Sequence, residues 1–168
     1  MNTPITRVIA IASVVTVMVL FALPIRAADG GSAKGALSVT GDGEPGHIEI
    51  ANAYLVAGAD SLEPNKIVRR VIFTSTDVRP VIEACSDADC AMYSIEEGMW
   101  IQLDDATMMS WWAKVKPVQI SGMTGRSGLV LTTDKPDHLA GTLTLDTMGV
   151  KTRIEFDAPL VKPIPASE

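Results

Sequence analysis

The chain is poor in the residues that most often carry chemistry. Its 168 residues include two histidines, two cysteines and eight aromatic side chains: three Trp, two Tyr and three Phe. Two cysteines are too few for a disulfide framework, and with no histidine near them they cannot complete a zinc tetrad. The histidines, His47 and His138, are far apart in the chain, and each stands where a strand is expected to begin. No G-x-S-x-G turn is present. The nearest segment, residues 125–128, offers Ser127 with the wrong spacing, so a serine-nucleophile elbow is not expected. The glycine-rich segments lack the Lys-Ser/Thr ending of a phosphate loop. Asp87 and Asp89 flank the cysteine loop without the regular series of oxygens that a calcium loop needs. No catalytic residues, no metal ligand set and no cofactor are therefore expected.

Positive charge is also scarce, with 14 Lys and Arg against 20 Asp and Glu and a formal charge of −6. An acidic surface repels phosphate backbones and anionic lipid, so nucleic acid is excluded as a partner.

What the chain does have begins at its N-terminus. Residues 1–7 are short, polar and positive; residues 8–23 are apolar or small; Pro24 ends any helix; and Ala27 and Ala28 are small. This is the layout of a secretory signal peptide, expected to be cut after about residue 27. A retained anchor is the rival reading, because Arg26 crowds the cut, but the run falls short of the roughly 20 residues of a full span. A membrane partner enters only if that segment is kept. Export removes Arg7 and Arg26 but no acidic residue, so the formal charge of the remainder becomes −8. A periplasmic or secreted location makes Cys85 and Cys90 a local disulfide rather than a redox pair, since four residues separate them where redox motifs use two.

After a Gly- and Ser-rich leader at 28–34, short alternating or β-branched runs recur between Gly, Pro and Asp turns. Strands are expected at 35–39, 47–56, 67–74, 99–103, 107–116, 118–121, 127–133, 139–146 and 150–156. A helical turn is expected only at 77–85, with Asp77 as cap and Pro80 in its first turn. Residues 91–98 have no clear class, and the prolines near the C-terminus make 161–168 an extended tail. The result is an all-β domain over 35–160, an antiparallel β-sandwich or small barrel of eight to nine strands.

The segment 99–116 carries the most information. Its alternation suggests a hairpin with a three-residue loop at 104–106, which sets Leu103 opposite Thr107, Ile101 opposite Met109 and Met99 opposite Trp111. One face is then apolar. The other face holds Trp100, Gln102, Met108, Ser110 and Trp112. Large aromatics beside methionine on a sheet face can grip a protein, a peptide or a sugar ring. They can equally be covered by another strand or by the 77–85 segment. The expected role is a non-enzymatic binding or accessory domain with Trp100, Trp112 and Met108 as its contact residues. Two alternatives are weighed beside it. The first is copper binding through His47, His138 and soft methionines drawn from Met92, Met99, Met108, Met109, Met123 and Met148. The second is a hydrolase built around a histidine.

Overall fold

A computed structural model describes residues 31–163 apart from 42–44, 61–62, 64 and 124–127. The expected signal segment at 1–27 and Ser127 lie outside the described residues. Nine strands form one sheet: β1 (Gly31–Val39), β2 (Gly46–Ala59), β3 (Ile67–Thr74), β4 (Gly98–Asp104), β5 (Thr107–Val115), β6 (Val118–Met123), β7 (Gly128–Lys135), β8 (His138–Thr147) and β9 (Val150–Pro163). The order across the sheet is β6-β5-β4-β3-β2-β1-β9-β8-β7, and every neighbouring pair is antiparallel. The expected all-β class and strand number are observed. The strands lie in one sheet curled into a half-barrel, rather than in the two packed sheets of a sandwich.

Contacts that skip strands reveal the curl. Phe73 on β3 meets Phe156 on β9 edge-to-face at 5.3 Å, although β2 and β1 lie between them in the sheet. Arg69 on β3 reaches across to Asp134 on β7 at 2.6 Å. A methyl group on Gly46 would strike Val115 at the end of β5. The concave face is thereby folded onto itself around one buried cluster that includes Leu37, Leu55, Val71, Phe73, Met99, Ile101, Trp111, Leu143 and Ile154.

Residues 31–34, expected as part of a flexible leader, belong to β1. Composition misleads here because the glycine has a packing role. Strand β9 runs on past β1 to pair in parallel with β2, and Gly31 sits where the two converge. Any β-carbon there would lie 2.3 Å from the Ala53 carbonyl, so only glycine can start the strand at that point. The β1–β2 ladder also shifts register between Ser32 and Gly35. Consequently Ile48 and Ile50 pack with the inner core, while Tyr54 and Val56 belong to the opposite face. Simple alternation would have kept all four together.

The β4–β5 hairpin differs from the expected register. Its turn has two residues, Asp105 and Ala106, with Asp105 left-handed at φ 49°. A register shift then follows at Gln102/Leu103, the signature of a β-bulge. Leu103 faces Met108, Ile101 faces Trp111, and Met99 faces Ala113. Met108 is therefore buried at 1 % exposure in the inner core, and Met109 is the exposed residue at 39 %. This corrects the placement of Met108 on the outer face with the tryptophans: one extra residue on β5, next to Ser110, turns Met108 inward, while Met99, Ile101, Leu103 and Trp111 keep the expected inner face. At the far hairpin the turn is Met148-Gly149, both with positive φ, the backbone a two-residue hairpin requires.

The corrected register predicts an asymmetric response. Met108→Ala should destabilise the domain by about 2–4 kcal/mol through a cavity in the core, while Met109→Ala should fall within about 0.5 kcal/mol of the parent. Urea denaturation of the two variants side by side checks this; a larger cost at Met109 than at Met108 would restore the alternating register.

Candidate functional site

The convex face of the sheet would leave a second apolar surface in water. Two short helices cover part of it: α1 (Arg79–Ala84) and α2 (Ala88–Tyr93). Ile82, Cys85, Ala88, Ala91 and Ile95 from this cap pack on Tyr54, Val56 and Ile72 of the sheet. Helix α1 stands where a helical turn was expected, with Pro80 in its first turn. The N-cap position is Val78, but the Asp77 carboxylate still accepts the Arg79 backbone N–H at 2.9 Å. Helix α2 falls partly in the stretch that sequence alone could not class. Its N-cap is Asp87, which accepts the Cys90 N–H at 2.7 Å.

Helices of six residues do not persist alone, and three anchors hold these two. The first is the Cys85–Cys90 disulfide, whose Cα atoms are 5.5 Å apart; it joins the end of α1 to α2. The second is Tyr54, whose hydroxyl donates to Asp77 at 2.7 Å and accepts the Val78 N–H at 3.3 Å. Burial, followed by the hydrogen bond to Asp77, pushes the Tyr54 phenol up to about 12, and the same bond holds the Asp77 carboxyl below its ordinary value. The third is Arg70, only 3 % exposed on the sheet face beneath α2. Its guanidinium faces the Asp89 carboxylate at 3.0 Å, and its Nε donates to Gln102 at 3.0 Å. A buried cation held by a carboxylate from the cap ties cap and sheet together.

Beyond the cap the outer face is more open. Register across the sheet forms rows of neighbours: Ile72, Trp100, Trp112 and Ser121 in one, and Arg70, Gln102, Ser110 and Met123 in the next. Trp100 and Trp112 are directly opposite each other and their rings stack, with centroids 6.4 Å apart and planes 12° from parallel. Both are half-buried and touch the edge of the cap cluster. The cap thus covers the inner end of the row, and the indoles extend past its rim. Ser121, the next residue in the row, is too short to cover Trp112. Met123, at 81 % exposure, lies alongside in the next row. The structure therefore brings Trp100 and Trp112 together and removes Met108 from them. Met123 is the methionine beside this row, and Met109, the extra residue of the bulge, is exposed; the bulge has no compositional mark by which a sequence reading could have found it.

The histidines do not converge. His47 lies opposite Ser38, which pairs with Lys151 on β9, whereas His138 lies opposite Pro159 on the same strand. Eight residues of extended chain, roughly 26 Å, separate those positions. His138 contacts Asp157 at 2.9 Å. His47 contacts Ser38 Oγ at 2.9 Å and Glu49 at 3.2 Å. The second set has the residue types of a hydrolytic triad but lies on an open sheet surface with its carboxylate in water, 79 % exposed. A solvated carboxylate does not hold an imidazole in one orientation as a buried one does. Of the candidate copper ligands, Met99 and Met108 are committed to the inner core and Met92 is a buried residue of helix α2. Among the described residues no group of three or more His, Cys, Asp or Glu side chains is placed to hold a metal ion.

The chain matches no protein-family model, no curated protein and no solved structure.

Two measurements follow from the cap. The Tyr54 phenol ionises less readily in the folded chain, so its contribution to stability is intact below pH 10 and is lost as pH rises toward about 12. Asp77 ionises more readily than usual, so its contribution is present above its ordinary value of 3.8 and lost as pH falls through the lower folded value. Tyr54→Phe should abolish the alkaline loss and shrink the acid one; a denaturation midpoint that follows pH identically in parent and variant would contradict this. The paired change Cys85→Ser, Cys90→Ser should cost about 2 kcal/mol, the low end for so short a loop. Hydrogen exchange should rise in residues 79–95 while the strands stay protected.

Proposed function

We propose that this is a non-enzymatic binding or accessory domain of the periplasm or the extracellular space, and that the Trp100–Trp112 stack is its contact surface. The observation that carries the reading is the position of that stack. Two large aromatic rings stand half in water at the rim of the cap, beside an exposed methionine and a serine that leaves one ring uncovered. Rigid aromatics at the margin of a well-packed cluster give contact area at little entropic cost, as anchor residues at interfaces do. The disulfide fits the same picture, because such a bond persists in an oxidising compartment.

The ligand chemistry this surface suits is an apolar ring or side chain with a polar border: a sugar ring, or an extended peptide or protein segment. Gln102, Ser110, Gln119 and Lys114 surround the stack in the sheet register and provide donors and acceptors for orientation. Neither histidine lies in these rows, so the surface offers contact rather than acid–base chemistry.

A panel of oligosaccharides and peptides titrated against intrinsic tryptophan fluorescence tests the proposal. A saturable ligand should be found whose affinity falls at least tenfold in Trp112→Ala, with the far-ultraviolet dichroism and the cap's hydrogen exchange unchanged. A ligand bound equally well by the variant would place the contact surface elsewhere.

A further inference from the structure

An open sheet has two edges, and among the described residues these are β6 and β7. Each presents a row of backbone N–H and C=O groups that another strand can pair with. The two edges are not equally guarded. Strand β7 carries a register shift between Leu131 and Thr133 and ends in Asp134 and Lys135, with Asp134 held by Arg69. Bulges and charges of this kind discourage pairing. Strand β6 has neither. Val118–Met123 contains no charged residue and pairs with β5 through an unbroken ladder. Its outer-face residues Gln119, Ser121 and Met123 are all exposed.

A ladder of alternating donors and acceptors is matched by a polypeptide backbone and by little else. We propose that the strand which completes it is β6 of a second copy, pairing antiparallel about a two-fold axis. Self-pairing meets three conditions that the sequence of β6 satisfies. First, two acidic copies pair more readily along a strand that adds no charge to the contact, and β6 has none although the chain as a whole carries −6. Second, side chains must stay on their own face, which requires pairing in phase. Centring on Ser121 achieves this: Ser121 meets its own equivalent, Gln119 meets Met123, and Ile120 meets Gly122. Third, the axis must tolerate close approach. Ser121 is the smallest outer side chain on the strand, and Gly122 is the smallest inner one; Gly122 lies so near the Trp111 ring that no side chain fits on it. An isoleucine from the second copy would lie across from that glycine and extend the inner apolar face.

The dimer has a consequence for the aromatic surface. The row Trp100, Trp112, Ser121 continues through the axis into the same row of the second copy, in reverse order. Both indole stacks then lie on one continuous outer face, with the two Ser121 side chains between them and a Met123 in the row on either side. A two-fold assembly of this kind is the commonest form of homo-oligomer.

Sedimentation equilibrium of the purified chain across the micromolar range tests the proposal. A reversible dimer is expected, tightened by added salt, because screening relieves repulsion between two acidic copies. Ser121→Lys, a change at an exposed position, should weaken dimerisation at least tenfold, and so should Ser121→Glu. Mixing the two variants should restore it as a heterodimer. Ser121→Cys should form an interchain disulfide under mild oxidation, since paired strands bring opposite Cα atoms within bridging distance; Thr132→Cys on β7 should not. A chain that remains monomeric throughout overturns the proposal, even if it captures a foreign peptide along β6. So does a dimer that Ser121→Lys leaves intact.

Discussion

A sheet that curls upon itself can bury only its concave face. Every other feature of this molecule responds to that constraint. The inner cluster is closed by contacts between strands distant in the sheet order, such as Phe73 with Phe156. The convex side then holds Tyr54, Val56 and Ile72, which no strand can cover because the sheet has curved away from them. Fully burying each of these side chains is worth roughly 1.5–3 kcal/mol, so leaving the patch in water would forfeit a large part of a typical domain's stability. A separate covering element is needed, and residues 77–95 supply it.

That element is too short to stand alone, which explains the density of devices around it. A disulfide closes its corner, a tyrosine from the sheet holds the carboxylate at its entrance, and a buried arginine pairs with an aspartate on its second helix. Each device joins cap to cap or cap to sheet, and none joins the cap to the inner core. The domain therefore has two apolar clusters separated by one layer of backbone. Arg70 has a particular role in this layer. Desolvating a guanidinium is costly unless a carboxylate and further acceptors meet it, so Asp89 and Gln102 become conditions for seating the cap rather than decoration.

Much of the sheet could be read from the alternation of apolar residues, because period two is a direct consequence of the pleat. The runs at 67–74 and 139–146 alternate or are β-branched between strong turn residues, and their limits were legible to within a residue; the run at 150–156 gave the start of β9 but not its continuation to Pro163. Legibility failed where one residue was inserted or where composition had a second meaning. The bulge beside the 105–106 turn shifts Met108 inward and Met109 outward with no change in composition. Gly31 looks like part of a linker because glycine is common in linkers, yet it is required by two converging backbones. Helix α2 was hidden because a cysteine, two aspartates and two alanines in six to seven residues carry no helical period. The tryptophans were legible for the opposite reason. Positions 100 and 112 fall on the same face in both the expected and the observed register, since the bulge lies between the stack and the turn and moves the pairing by two residues rather than one.

The stack also lies on a boundary, and this shapes what it can do. Trp100 is next to Ile72 in the sheet row, which lies under the cap, while Trp112 is next to Ser121 on the open edge strand. One ring is therefore steadied by the cap and the other is presented to solvent by its neighbour. A surface aromatic with nothing behind it would lose rotamer freedom on meeting a ligand, whereas one stacked on a fixed ring has already lost it. The position of Trp100 thus depends on the cap, and through the cap on the Cys85–Cys90 bond and the Arg70–Asp89 pair. The rigidity of the exposed ring is the last link in a chain of contacts that begins with the curvature of the sheet.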